Sequence, residues 1–426
     1  MTSREPILAH EFRVETEATG SLLSCRLRAP GVELPETFWY RVPPECAQTM
    51  APHADAFVPP LVLAGMRAGR NVVIESDVSA ALLASLGRVQ RILHRWSQRH
   101  GPPLVIVDVS ASAASRSRRG MASGAFFSLG VDSFYTVLKN VRRYPPGDSR
   151  AISHLVLVHG FDITLSQTAL FDMVREQARE ASAALGKVLL SVATNAREVV
   201  KAVDWGYYGC GPAMAGVGLA LAGLHHTLYI GASDTYEKLS PWGSHPALDP
   251  LWSTEGLEFV YDGGEAERFD KIGVIASSPM AVQKLRVCWE NRGAAYNCGR
   301  CEKCLRTMIA LELWGALAGA QFPQPIDPAD IARLPLSAAV RPWWREMIQE
   351  GRRARIDLAL IAAMEKAMQA SAWSDSPLGR VDHGLASALA RLGLSPARLK
   401  RADATWLRGL GAAALRWLQR RATRGR

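Results

Sequence analysis

In the stretch EFRVETEATGSLLSCRLRA (Glu11–Ala29) apolar and polar residues alternate, which predicts antiparallel strands with one wet face. The period lengthens in SAALLASLGRVQRILHRW (Ser79–Trp96), where Leu82, Leu83, Leu86, Val89, Ile92 and Leu93 line one side of a helix. PLVIVDV (Pro103–Val109) is apolar almost throughout and reads as a buried strand. The small and basic residues of SASAASRSRRGMASG (Ser110–Gly124) carry no period and read as a linker. Together these predict an α+β N-terminal unit over residues 1–115 and a linker over 116–124.

Beyond the linker, short apolar runs alternate with helical spacing. GAFF (Gly124–Phe127) leads into a helix with Val131, Phe134, Val137, Leu138 and Val141 on one side. Further strands are expected at His154–Gly160, Lys187–Ala193 and Thr227–Ser233, with helices at Phe171–Leu185 and Pro212–Leu224. Apolar strands separated by helices imply an α/β fold with a parallel, doubly wound sheet covered on both faces. Ligands of such sheets bind at the carboxyl ends of strands, beside a reversal of strand order. The loops that matter are therefore Ser128–Ser133, Gly160–Asp162, Thr194–Arg197 and Gly231–Asp234. This nucleotide-type domain is drawn at 125–318. The remainder, 319–426, reads as a helical, basic extension ending in a stripe of Trp406, Leu410, Ala413 and Trp417.

Composition narrows the function classes. A chain of 426 residues, 48% hydrophobic, has the size for two or three domains and a sizeable core. Its longest apolar run, MAGVGLALAGL (Met214–Leu224), falls well short of the ~20 residues that span a bilayer, so it reads as a buried helix and no membrane insertion is expected. The opening MTSREPILAHEF carries no apolar signal region, so export is not expected and a cytoplasmic location is. In that reducing compartment seven cysteines point to a metal sooner than to disulfides. The net charge of +10 is lopsided: Arg391–Arg426 holds ten Lys/Arg and one acid, so the rest of the chain is nearly neutral. That tail reads first as a solvated helical face, with RNA, anionic lipid or an acidic protein as its other natural partners.

Two motifs carry chemistry. In SLGVDS (Ser128–Ser133) an apolar strand ends on a glycine and two hydroxyls, and a helix begins near Asp132. Phosphate binding needs bare main-chain amides and the positive end of a helix dipole, and Gly130 supplies freedom to turn. Asp132 could cap that helix or help hold Mg2+, and an ordinary strand–helix turn would use the same residue types. More specific is RVCWENRGAAYNCGRCEKCLRTM, in which Cys288, Cys298, Cys301 and Cys304 follow the spacing C-x9-C-x2-C-x2-C. Four thiolates suit tetrahedral Zn2+ with no position left for water, a structural site; an iron–sulfur cluster is the rival. Gly299 lets the loop fold round the ion, while Arg300, Lys303 and Arg306 offset its charge. Cys25, Cys46 and Cys210 stand apart and read as inert core thiols.

With these residues in hand, the chain resembles the PP-loop ATP pyrophosphatase superfamily, and within it the 7-cyano-7-deazaguanine synthases (QueC-like enzymes). The resemblance runs over roughly Phe126 to Leu313. The family's SGGxDS loop corresponds to Ser128, Leu129, Gly130, Val131, Asp132 and Ser133. Its later Gly-small-small-Asp stretch corresponds to Gly231, Ala232, Ser233 and Asp234. SHPALDPL (Ser244–Leu251), Lys271 and the four cysteines then follow in the family's order. The resemblance implies a PP-loop/HUP-type fold, ATP, Mg2+ and structural Zn2+ as cofactors, and queuosine-type chemistry. In that chemistry ATP adenylates a carboxylate such as a 7-deazaguanine acid, pyrophosphate leaves, and an amine attacks. It assigns Ser128, Gly130, Asp132 and Ser133 to the pyrophosphate, with Asp132, Ser133 and Lys271 catalytic. Gly231 and Ala232 fall near the nucleotide, and Asp234 near substrate or metal. Asp162 and Asn195, which follow other strands, join the nucleotide site as lesser members.

Leu129 departs from the family glycine. If that position needs a positive φ, leucine costs roughly 1–2 kcal/mol there. The flanking regions exceed what a small acid requires, so a protein amine or RNA joins ammonia and small amines as a candidate acceptor, in a chain able to form an oligomer. The competing expectations are a tRNA-thiolating enzyme of the same superfamily and a nucleotide- or RNA-binding partner without turnover.

Overall fold

The computed structural model describes residues 5–49, 52–115, 120–291, 295–337 and 340–375. The chain divides into two compact units, Met1–Ile326 and Asp327–Arg426. The first runs β1 (Ile7–Glu17), β2 (Gly20–Arg28), β3 (Thr37–Val42), α1 (Val58–Ala68), β4 (Val72–Ser79), α2 (Ala80–Ser97) and β5 (Val109–Ala114). It continues with β6 (Ala122–Phe126), α3 (Val131–Arg143), β7 (Ile152–His159), α4 (Thr168–Ala184), β8 (Val188–Thr194), α5 (Ala196–Val199), α6 (Cys210–Ala220) and β9 (His225–Gly231). Last come β10 (Glu258–Asp262), α7 (Arg268–Ala276), α8 (Pro279–Lys284) and α9 (Glu302–Leu313). The second unit contains α10 (Pro328–Ala332), α11 (Arg341–Ala354) and α12 (Leu358–Asp375), with Trp344, Met347 and Met364 buried.

All ten strands form one sheet, in the order β10-β9-β6-β7-β8-β3-β2-β1-β4-β5. Pairing is parallel from β10 through β8, antiparallel from β8 to β1, and parallel again through β4 and β5. The alternating pattern thus predicts the α/β class and the mostly parallel sheet correctly. Order reverses between β6 and β9, so the chain leaves β6 for β7 on one side and later returns to β9 on the other. Open α/β sheets take their ligands at the carboxyl ends of strands beside such a reversal, here the end of β6. The loop after β6 stands there.

Three expectations are corrected. The N-terminal 1–115 is not a separate α+β body: its strands extend the same sheet, and Phe38, Tyr40, Val42 and Leu61 share one core with Leu190, Val217 and Leu219. Pro103–Val109 is not a strand. Gln90 ties its backbone instead, accepting from Val107 N–H and donating to Val107 C=O, while Val105 and Ile106 stay exposed. The strand begins at Val109 and runs through small residues first read as linker, which pair with β4. The second unit starts at 327 and not at 319. Strand β10 has no counterpart in the sequence reading, and the stripe from Trp406 to Trp417 lies outside the described residues. No described helix is long and apolar enough to cross a membrane.

The two halves meet where β3 pairs β8 over only Tyr40–Thr194 and Arg41–Ala193. Side chains lengthen this short splice. Asn195 Oδ1 accepts from Trp39 N–H at 3.0 Å, its Nδ2 donates to Thr37 C=O at 2.8 Å, and the Thr194 hydroxyl donates to Trp39 C=O at 2.7 Å. Asn195 is buried and both ends of its amide are spent on β3, so it is not available to a nucleotide. An Asn195→Ala change strands a backbone donor and an acceptor, a loss of roughly 2 kcal/mol or more. Urea unfolding of the variant is expected at a lower midpoint with the same slope; an unchanged midpoint would refute the splice.

Candidate anion site and metal centre

Strand β6 is an apolar run because helices cover both its faces, and pairing with β7 persists past its end through Phe127 N–H to Val156 C=O at 2.8 Å. The chain must then turn sharply to start α3. It does so at Leu129, whose φ is 63°, in the left-handed region. Gly130, expected to supply the turn, has an ordinary φ of −78°. The strain of about 1–2 kcal/mol falls on leucine, and full burial of its side chain, worth about 1.5–3 kcal/mol, offsets it. The side chain goes into the protein and the loop keeps its shape.

The first turn of α3 is closed from within. Gly130 C=O accepts from Phe134 N–H at 2.9 Å and from the Ser133 hydroxyl at 3.0 Å, and Ser128 Oγ accepts from Gly130 N–H at 3.3 Å. Val131 is buried and Ser128 exposed. Asp132 is the charged member of this turn, and its oxygens receive Arg268 at 2.9 Å and Lys271 at 3.5 Å. Burial alone would raise the Asp132 carboxyl; Arg268, Lys271 and Lys303 outweigh it and hold the group below its ordinary value.

The lysine and arginines are packed in protein. Lys271 is 1% exposed, donates to Ala232 C=O at 2.7 Å and lies over the Tyr135 ring. Burial lowers its pKa, with Asp132 acting the other way. Burial likewise lowers Lys303, which is within electrostatic reach of Arg268, Asp162, Asp132 and Arg306. Arg306, paired with Glu302 at 3.0 Å, is pushed down by burial to about 10. Glu265, beyond Lys271, is taken up by Lys139 and the Tyr135 hydroxyl. Arg268 and Lys271 therefore contact the one carboxylate of Asp132 at the head of a helix, with Lys303 within electrostatic reach. Such a turn offers a positive potential to an anion.

Beside it, the sulfurs of Cys288, Cys298, Cys301 and Cys304 all lie within 4.8 Å of one another. A tetrahedron with metal–sulfur bonds of 2.3 Å has edges of about 3.8 Å, and Cys298 and Cys304 are 3.9 Å apart. Four cysteines so placed can hold a metal ion such as zinc. Main-chain donors already face the sulfurs: Arg300 and Cys301 N–H point to Cys298, and Cys304 N–H to Cys301. Gly299, at φ 69°, makes the turn. Hydrogen bonds from Cys301 and Cys304 drive the Cys288 thiol down, and as its donor Cys301 is pushed up to about 12. Asn297 locks the two arms of the loop. Its Oδ1 accepts from Val287 and Cys288 N–H, and its Nδ2 donates to Leu285 and Gln321 C=O.

The metal loop and the turn touch. Arg286, two residues before Cys288, donates its N–H to Leu129 C=O at 3.0 Å. Its buried guanidinium reaches Asn291, while its Nε has no partner among the described residues. On the other arm Cys301 caps α9, whose first turns carry Lys303 and Arg306.

The remaining expected residues divide. Gly231 lies against Asp132: a Cβ there would sit 2.9 Å from the Asp132 carbonyl, so only glycine lets β9 end so close. Ala232 joins the site through its carbonyl and pairs Asp262 through its N–H. Ser233 is half-buried beside it. Asp234 turns away and accepts from the Ser240 hydroxyl at 2.6 Å. Asp162, at the end of β7, accepts from Trp205 Nε1 and, through its carbonyl, from Asn291. Asp249 of the SHPALDPL stretch is fully buried, lifted to about 7 by burial, and bonded to the Ser244 hydroxyl and His245 N–H, an internal staple. Arg268, Arg286 and Asn297 were not singled out by sequence. Arg268 had a readable signal: it lies three residues before Lys271, one helical turn along the same face.

Comparison of the chain with protein-family models, curated proteins and solved structures finds no match to any of them.

The positive φ of Leu129 has a measurable signature. Both Leu129→Gly and Leu129→Ala lose the buried side chain, but only glycine relaxes the backbone. The glycine variant is expected to be the more stable by about 1 kcal/mol, inverting the usual Ala-over-Gly order. Equal stability, or alanine ahead, would contradict the left-handed turn.

Proposed function

We propose that this chain is an ATP-dependent, AMP-forming carbon–nitrogen ligase of the PP-loop kind. The observation that carries the reading is the contact of Arg268 and Lys271 with Asp132 at the head of α3, with Lys303 within electrostatic reach, at the sheet position where strand order reverses. Such a concentration of positive charge suits an ion with several negative charges, and the pyrophosphate end of a nucleoside triphosphate is such an ion.

The chemistry follows from leaving groups. An amine cannot displace oxide from a carboxylate. A carboxylate oxygen attacks the α-phosphorus of ATP, the bond from that phosphorus to the bridging oxygen breaks, and pyrophosphate departs. The amine then attacks the acyl carbon and AMP leaves with the bonding pair. The protein's part is to hold the reactants in line and to stabilise charge gathering on the departing pyrophosphate. In this reading the amides of residues 128–133, Ser128 and Ser133 face the phosphates, and Arg268, Lys271 and Lys303 neutralise them. Asp132 positions two of those cations and does not ligate Mg2+, which enters with the triphosphate. Cys288, Cys298, Cys301 and Cys304 would hold a zinc ion with no position left open for substrate, so that it would serve as scaffold. The acid is proposed to be of the 7-deazaguanine type, and the acceptor ammonia or an amine on a protein or RNA.

The thiolation alternative is less well supported. It needs a thiolate free to carry sulfur, whereas four cysteines form the metal set and burial raises Cys25, Cys46 and Cys210, the last two to about 12.

Zinc-loaded protein given ATP, Mg2+, 7-carboxy-7-deazaguanine and an ammonium salt is expected to release AMP and pyrophosphate in equal amounts. Arg268→Ala and Lys303→Ala should each lower kcat/KM for ATP by about 10²–10³, with an unchanged circular dichroism spectrum. Release of ADP, or silence with every acid of a deazaguanine panel, would overturn the reading.

A further inference from the structure

The same residues that reach the turn are strung on the metal loop, and that connection has a consequence for binding. Between Leu285 and Cys288 the backbone is gripped twice: by Asn297, which takes Val287 and Cys288 N–H, and by Leu129 C=O, which takes Arg286 N–H. Between Cys301 and Cys304 the chain begins α9, with Cys301 Sγ as its cap, and there it displays Lys303 and then Arg306. Each arm of the knot thus ends in contact with Leu129 or in cations near Asp132. The four sulfurs, packed within 4.8 Å, are a ligand set whose arms stay closed when an ion binds them.

We propose that metal binding at the four cysteines and anion binding at the 128–133 turn are one coupled equilibrium, in which the metal holds the Arg286 backbone against Leu129 and Lys303 where the anion needs them. The proposal rests on the phosphate reading given above and adds a partner ion to it. Linkage makes the effect reciprocal: whatever factor the metal contributes to anion affinity, the anion contributes to metal affinity.

The sign of the coupling separates this arrangement from plain electrostatics. Four thiolates round a divalent ion carry a net charge of −2, so loading brings negative charge toward the turn. Charge alone would make the loaded protein the weaker anion binder, an effect screened over about 8 Å at physiological salt. Placement works the other way. Among the described residues the arm that pins the Leu129 carbonyl is tied to the rest of the loop by Asn297, by the Tyr296 hydroxyl on Lys284 C=O and by contacts to sulfur, and an ion at the four sulfurs adds the one link that joins Cys288 directly to Cys301 and Cys304 at the start of α9. Losing that link loosens both the pin and the placement of Lys303. Tighter anion binding on loading can then come only from placement.

The test uses inorganic pyrophosphate and the full chain, loaded with zinc or stripped by a chelator, in calorimetric titrations at one salt concentration. The loaded form is expected to bind at least tenfold more tightly than the stripped form, and zinc affinity to rise by the same factor with pyrophosphate present. Hydrogen exchange should show stripping loosening residues 285–288 and 302–306 while β6 and β9 stay protected. Because stripping alone can unsettle the fold, Asn297→Ala serves as a second arm. It keeps all four sulfurs, so with zinc bound it is expected to hold pyrophosphate about as tightly as the wild type, and on stripping to lose more affinity than the wild type does. Equal or tighter binding by the stripped chain, or a severalfold loss in zinc-loaded Asn297→Ala, overturns the coupling and leaves the phosphate reading intact. Binding by neither form of the wild-type chain overturns both.

Discussion

Asp132 is held between Arg268 and Lys271 at the first turn of α3, and most of what can be said about this protein follows from that contact. Two cations share its oxygens, and Lys303 lies within electrostatic reach. Burial of Lys271 and Arg268 is costly unless those charges have a task that exposed lysines and arginines could not perform as well. Gly231 brings the end of β9 against the same turn, and Ala232 C=O takes one Lys271 proton. The strand reversal, the helix dipole and the buried cations therefore coincide at one point of the sheet.

The turn itself is kept in place from outside. Leucine in a left-handed conformation needs the surroundings to over-determine it, and the buried side chain together with the Arg286 N–H bond does so. Arg286 belongs to the cysteine loop. The loop whose four cysteines can hold a metal ion is thus in direct backbone contact with the neighbouring turn. The long sheet contributes rigidity beneath both, since β3 and β8 join the N-terminal strands to the parallel ones through Asn195 and Thr194.

Much of this was legible in the sequence. Period-two alternation located β1 and β2, and apolar runs located β6 to β9, because a strand's burial is written directly in its own residues. The cysteine spacing predicted a four-sulfur cluster for the same reason: the ligands are local in sequence. What escaped depends on neighbours distant in the chain. Gln90 lifts Val107 out of the sheet ladder, and β4 recruits the small residues of 109–114, neither of which local pattern encodes. Asn195 follows a strand at the right end of the sheet and so looked like a ligand residue, yet β3 claims its amide. Arg286 and Arg268 are ordinary arginines until the fold brings them to Leu129 and Asp132.

The most direct test is a crystal structure of the zinc-loaded protein with a non-hydrolysable ATP analogue and Mg2+. The β- and γ-phosphates are expected at the amides of residues 128–133, within hydrogen-bonding distance of Arg268 and Lys303. A nucleotide lodged elsewhere would contradict the assignment, for example in the cleft of about 380 Å3 that includes Arg175, Arg179 and Lys187. So would a turn left empty at millimolar analogue.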